Sequence, residues 1–156
     1  MTLWFETAQR SIFDAKVDAL VCPVNCVGTM GAGLALLFRE RFRESASHYQ
    51  RVCKAKRMST VKVLTTFAWD PKPENPTLYI IYFATKKDWR HQSKMEWITS
   101  GLKDLRSEIE SRKITSIAIP ALGCGLGELK WPDVRQAIIT EFTGMEGVDF
   151  HIYEPH

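Results

Sequence analysis

The sequence contains no apolar run near the roughly 18 residues that a membrane-spanning helix needs. Its opening, Met-Thr-Leu-Trp-Phe-Glu, lacks the charged, apolar and small-residue layout of a signal peptide. The cytoplasm is therefore the expected compartment, and no membrane partner is expected. Cysteine is sparse: four, at positions 22, 26, 53 and 124, form no CxxC pair and have no histidines at zinc-finger spacing. Reduced, mostly buried thiols are expected, with neither a metal nor a cofactor. Gly-Lys-Ser/Thr is missing, which excludes a Walker loop. The glycine spacing and downstream acidic residue of a dinucleotide fingerprint are missing as well.

What is present is a chain of 156 residues, 45% apolar and 25% charged, composed like an ordinary soluble domain. A single domain over residues 1–156 is expected. The net charge of +3 is a weak hint of a polyanionic partner.

The organising stretch is Cys22-Pro-Val-Asn-Cys-Val-Gly-Thr-Met-Gly-Ala-Gly-Leu-Ala, residues 22–35. Before it, Asp18-Ala-Leu-Val-Cys reads as a short strand buried on both faces. Asn25 ends that strand, and Gly28, Gly31 and Gly33 let the backbone turn and come close to a ligand. Apolar residues at Leu34, Leu37, Phe38 and Phe42 then predict a helix over about 32–42. Its free amides and positive dipole end face whatever the loop holds, most plausibly a phosphate or pyrophosphate. A strand-to-helix turn without a ligand has the same local sequence.

Further along, Leu3 to Thr7 reads as a first strand, Ser45 to Ala55 as a second helix, and Val61–Phe67 and Leu78–Ala84 as strands divided by a proline-dense loop at 70–76. Arg39, Arg41 and Arg43 read as a solvated helix face. Ser93-Lys-Met-Glu has the form of a capping box, and Met95, Ile98, Leu102, Leu105 and Ile109 mark one face of a long helix. Ser116–Ile119 is a short buried strand, Gly123-Cys-Gly-Leu-Gly127 a second glycine loop, and Pro132 sits in the first turn of a last helix through Phe142. Asp149–Tyr153 closes the chain as a strand. This alternation predicts an α/β fold with a mixed, mostly parallel sheet and helices on both faces. In such sheets ligands sit beyond the carboxyl ends of the strands, so the two glycine loops are expected to share one cleft.

Val21-Cys-Pro-Val-Asn25 before the first loop and Ile119-Pro-Ala-Leu-Gly-Cys-Gly-Leu-Gly127 as the second resemble the macrodomain family of ADP-ribose binders and hydrolases, over nearly the whole chain. The resemblance implies the three-layer macrodomain sandwich. Adding Thr85-Lys-Lys-Asp-Trp-Arg90, the chain is similar to the branch holding the bacterial DarG antitoxin macrodomains and the eukaryotic terminal ADP-ribose glycohydrolase. What this implies can be set out residue by residue. Gly28, Thr29, Met30, Gly31 and Gly33 bind pyrophosphate and distal ribose. Leu122, Gly123, Cys124, Gly125, Leu126 and Gly127 wrap the diphosphate from the other side, and Asn25 bonds the distal ribose. Where many macrodomains place a Gly-Asp pair at the adenine, this chain reads Arg10-Ser11. Ser11 with the Ile12 amide is then the expected adenine contact, with Phe150 or Tyr153 as a stacking aromatic.

The same resemblance makes Lys86 the catalytic residue, acting with Asn25, and leaves open whether it attacks the anomeric carbon as an amine or stabilises the departing base as an ammonium. Lys87 is the adjacent alternative. The eukaryotic enzyme's loop aspartate corresponds here to Gly127, with Glu128 one residue on. The implied substrate is ADP-ribose on thymine of single-stranded DNA, with Lys87, Trp89 and Arg90 as weak DNA contacts alongside His91 and Lys94. The implied partner is a DarT-like ADP-ribosyltransferase toxin. Removal of ADP-ribose from glutamate or aspartate esters, and ADP-ribose reading without catalysis, are the alternatives.

Overall fold

The computed structural model describes residues 2–6, 10–69 and 74–155. Residues 70–73 of the expected proline loop, and Thr7 of the expected first strand, lie outside the described residues.

Six strands form one sheet: β1 (Thr2–Glu6), β2 (Ala19–Val24), β3 (Leu64–Phe67), β4 (Tyr79–Ala84), β5 (Ser116–Ile119) and β6 (Asp149–Tyr153). Their order is β1-β6-β5-β2-β4-β3, parallel throughout except for the antiparallel edge pair β3–β4. The helices are α1 (Gly33–Arg41), α2 (Arg43–Lys54), α3 (Met95–Arg112) and α4 (Trp131–Phe142).

The period-two alternation of the central strands separates two cores. Val21, Ile81, Phe83, Ile117, Ile119 and Ile152 point to one face and pack with Ile98, Leu102 and Leu105 of α3 and Val134 and Ile138 of α4. Leu20, Cys22, Val24, Ile80, Tyr82 and Ala118 point to the other and pack with Phe38 of α1 and Ala46, Tyr49 and Cys53 of α2. Both faces of the sheet are covered, which is why β2 and β4 read as unbroken apolar runs and not as alternating ones. The result is a three-layer α/β sandwich.

Three expectations need correction. The third strand starts at Leu64 and not at Val61, because the Val63 amide is drawn to the Asp104 carboxylate of α3 at 2.8 Å instead of entering the ladder. The capping box does not form: Lys94 precedes α3 in extended conformation with no side-chain cap, and the Ser93 amide donates to the carbonyl of Gly127 at 3.1 Å. Leu37, read with Leu34, Phe38 and Phe42 as the apolar spacing of α1, is 46% exposed and so is not part of its packed face.

Packing is tight where α3 crosses β4. A methyl group on Gly101 would stand 2.7 Å and 2.9 Å from the Cε atoms of Phe83, itself buried. Gly101→Ala gains up to about 1 kcal/mol of helix propensity but overpacks a filled core at a cost of about 1–3 kcal/mol. Urea unfolding is expected to show a net loss of about 1–2 kcal/mol by the same balance; a stabilised variant would refute the packing account.

Candidate functional site

Strand β2 lies between β5 and β4, so the segments leaving its carboxyl end and theirs converge. The Thr85 amide donates to Val24 at 2.9 Å and the Cys26 amide to Lys87 at 3.1 Å, tying the first two segments together. A cleft of about 410 Å³ opens between them and the second glycine loop. Its walls carry Asn25, Thr29, Gly31, Gly33, Thr85, Lys86, Trp89, Gly125, Leu126 and Gly127, with Pro23, Val24, Ala32, Leu34 and Ala35 completing the lining. An open depression lined by Lys113, Thr115, Gly144 and Gly147 lies at the amino ends of β5 and β6, the wrong end of a parallel sheet for its ligand.

Asn25 builds the first loop. Its Oδ1 accepts from the amides of Val27 and Gly28 at 3.0 Å and Thr29 at 3.3 Å, and its Nδ2 donates to the Thr29 carbonyl at 3.1 Å. Helix α2 supports this from below: Tyr49 donates to the Asn25 carbonyl at 2.7 Å, and Gln50 to the Gly28 carbonyl at 3.1 Å. Gly28 turns at φ +87° against Cys53 and Gln50, a conformation that a side chain would strain. Tyr49 and Gln50 escaped the sequence reading. The available signal was Tyr49 and Cys53 at i, i+4 on the second helix after the loop.

Two sets of backbone amides face the cleft. Helix α1 begins at Gly33 after Ala32 with no side-chain cap, so its first-turn amides stay free beside cleft-lining residues. Opposite, the amides of Gly125, Leu126 and Gly127 have no acceptor among the described residues. This is the chemistry of an anion site made of neutral donors. Lys86, at the end of β4, is the one charged side chain lining the cleft among the described residues, and its Nζ donates to the Trp89 carbonyl at 3.4 Å. Trp89 is 56% exposed and Leu126 82%, so the mouth has an apolar rim.

The remaining expected site residues stand back from this lining. Met30 and Leu122 are buried core side chains, so only their backbone can reach a ligand. Gly28, Gly123 and Cys124 belong to the loops but do not line the cleft. Ser11 caps a short helical turn, its Oγ accepting from the Phe13 amide at 3.2 Å, and Ile12 is buried beneath it. Phe150 cannot stack on a ligand: it is fully buried against Phe142, ring centroids 4.5 Å apart. Tyr153 is also buried and does not line the cleft. Lys87 and Lys94 place their ammonium groups 5.6 Å and 5.3 Å from the centre of the Trp97 ring. Arg90 forms a two-point pair with Asp88, at 3.0 Å and 2.9 Å, which holds that carboxyl well below the usual range. Glu128 does not line the cleft; it accepts from Gln92. No group of three possible metal ligands exists among the described residues, and no described helix is long and apolar enough to cross a membrane.

The Macro domain profile matches residues 21–138. Over 145 residues the chain is 43% identical to a DNA ADP-ribosyl glycohydrolase of Thermus aquaticus, covering 93% of this chain and 39% of that protein. Its structure superposes on the macrodomain of Mycobacterium tuberculosis DarG with a TM-score of 0.93 at 36% identity, covering 99% of each chain. It superposes on Thermosipho africanus DarTG in complex with ADP-ribose with a TM-score of 0.87 at 29% identity, covering 97% of this chain and 42% of that one. The chain therefore spans 39% of the length of the first curated relatives it matches.

Replacing Asn25 with alanine strips one acceptor from three amides, and urea unfolding is expected to show a loss of about 2 kcal/mol. Burial pushes the Cys26 and Cys124 thiols up to about 11. Raised values mean protonated, weakly nucleophilic thiols at neutral pH. Iodoacetamide at pH 7 is expected to alkylate both more slowly than free cysteine, with rates climbing as pH approaches 11; fast labelling at pH 7 would contradict this.

Proposed function

The chain belongs to the Macro domain family, and on that premise we propose that it hydrolyses the bond joining ADP-ribose to thymine in single-stranded DNA. The observation that carries this reading is the position of Lys86, among the described residues the one cation in a cleft otherwise walled by backbone amides, apolar groups and uncharged polar side chains. In this reading the diphosphate lies between the free amides of α1 and those of Gly125–Gly127. The distal ribose then lies toward Asn25, Thr29 and Lys86, and the adenosine half toward Ser11 and Ile12. The remaining amide hydrogen of Asn25 is available to a ribose hydroxyl while its oxygen keeps the loop in shape.

Hydrolysis breaks the bond from the anomeric carbon to a thymine nitrogen, adds the water oxygen to that carbon and returns a proton to the base. Two roles for Lys86 serve this: attack on the anomeric carbon as a free amine, or stabilisation of the departing base as an ammonium. No ion pair to Lys86 exists among the described residues, and the nearby Asp88 carboxylate is engaged by Arg90, so the ammonium stays available to the substrate. Trp89 offers a face on which a flanking base can stack. Arg90 borders it with positive charge partly spent on Asp88, while Lys87 and Lys94 lie over Trp97. A DarT-type ADP-ribosyltransferase is the partner whose product such an enzyme reverses. The ester-directed alternative lacks support here, because Glu128 does not line the cleft.

The test is release of free ADP-ribose from a single-stranded oligonucleotide bearing ADP-ribosyl thymine, beside a glutamate-linked ADP-ribosyl peptide. The expected result is release from the DNA, lowered about 100-fold or more in Lys86→Ala. Release from the peptide alone would overturn the DNA assignment, and ADP-ribose binding without release from either would leave a reader.

A further inference from the structure

Ser93 carries a buried hydroxyl that the fold leaves idle. The residue is 6% exposed, and its Oγ has no hydrogen-bond partner among the described residues. A buried hydroxyl without a partner costs free energy, so Ser93 is poised to donate to any partner that comes within reach.

Its neighbours identify that partner. The Ser93 amide donates to the Gly127 carbonyl at 3.1 Å, which fixes the residue under the second glycine loop. A methyl group on Gly127 would collide with the Ser93 hydroxyl and with the Gly123 carbonyl, and one on Gly123 would stand 3.3 Å from the Ser93 Cβ. Ser93 thus touches the back of the loop where the loop has no side chains, while Gly125, Leu126 and Gly127 form its cleft-facing side. A trans peptide points its N–H and C=O in opposite directions. Amides of residues 125–127 turned toward an anion therefore turn the carbonyls of residues 124–126 away from it, toward the protein. The Gly125 carbonyl already accepts from Glu128 at 3.1 Å, whereas those of Cys124 and Leu126 accept no backbone bond among the described residues.

We infer that Ser93 is a positioning residue of the second glycine loop: its hydroxyl donates to a carbonyl on the back of that loop when the loop amides turn to the diphosphate. The inference rests on the reading of residues 123–127 as a diphosphate loop, and goes beyond it by naming what holds the loop in its binding form. The same Ser93 hydroxyl and Gly123 carbonyl fill the space that any side chain at position 127 would need, so this loop cannot take a carboxylate there without being rebuilt.

Ser93→Ala separates this role from a structural one, because the two move stability and binding in different directions. Thermal unfolding of wild type and variant without ligand is measured beside calorimetric titration with ADP-ribose. The variant is expected to melt no lower than wild type, since an unpaired buried hydroxyl has been removed, and to bind ADP-ribose about five- to tenfold more weakly, the scale of one hydrogen bond. Equal affinity of variant and wild type would overturn the inference and leave the diphosphate reading standing. A ligand-free variant that melts several degrees lower, or does not fold, would show the hydroxyl to be partnered already and would also overturn it. Wild-type protein that does not bind ADP-ribose would remove the diphosphate reading itself, and the inference with it.

Discussion

One side-chain oxygen organises the site. Asn25 Oδ1 gathers three successive amides of the loop after β2, and every later feature of the cleft depends on the turn so made. The chain must reverse within a few residues so that α1 can start at Gly33 with its amides toward the carboxyl end of the sheet. Tyr49 and Gln50 then lock the turn onto α2. An aspartate would accept the same three bonds, but it would place a negative charge under an anion site. An amide organises the loop as a neutral group, and its nitrogen also donates to the Thr29 carbonyl of the same loop.

That neutrality runs through the site. Arg39, Arg41 and Arg43 are exposed and do not line the cleft. In the proposed reading the diphosphate would be held by neutral amides, and Lys86, the one cation lining the cleft among the described residues, would be left for the reacting end.

Much of this was legible in the sequence, for identifiable reasons. The boundaries of β5 and β6 follow from short apolar runs ended by Pro120 and by the chain's last turn. The two glycine loops follow from glycines placed directly after buried strands. The errors share one cause, tertiary contacts that override a local pattern. Val61–Val63 has strand composition, but its backbone answers to Asp104 on a distant helix. Ser93-Lys-Met-Glu has the pattern of a cap, but Ser93 is drawn to a loop 34 residues away. Phe150 is one of several aromatics near the chain's end, and only the packing of α4 shows that it is inaccessible. Asn25 was recognised as important, but its dominant bonds are to its own loop, which motif matching alone could not reveal.

The chemistry available to such a cleft is narrow, and that narrowness bears on the substrate. Most glycoside hydrolases flank the scissile bond with two carboxyl groups, one to protonate the leaving group and one to meet the anomeric carbon. No carboxylate lines this cleft among the described residues, and a lysine stands alone. With one amine or ammonium to work with, the site suits leaving groups that carry negative charge well. A serine-type O-glycoside, whose alkoxide demands full protonation, fits it poorly. In DNA the N1 of thymine is bonded to deoxyribose, so the ring nitrogen left to carry ADP-ribose is the one between two carbonyls, which spread the charge of the departing base. A glutamate carboxylate holds charge better still, so the leaving group alone does not choose between DNA and protein. The rim adds an aromatic face: Trp89 is half-exposed, with the Arg90 guanidinium 5.7 Å from its ring centre, and the proposed DNA substrate would use that face to stack a base.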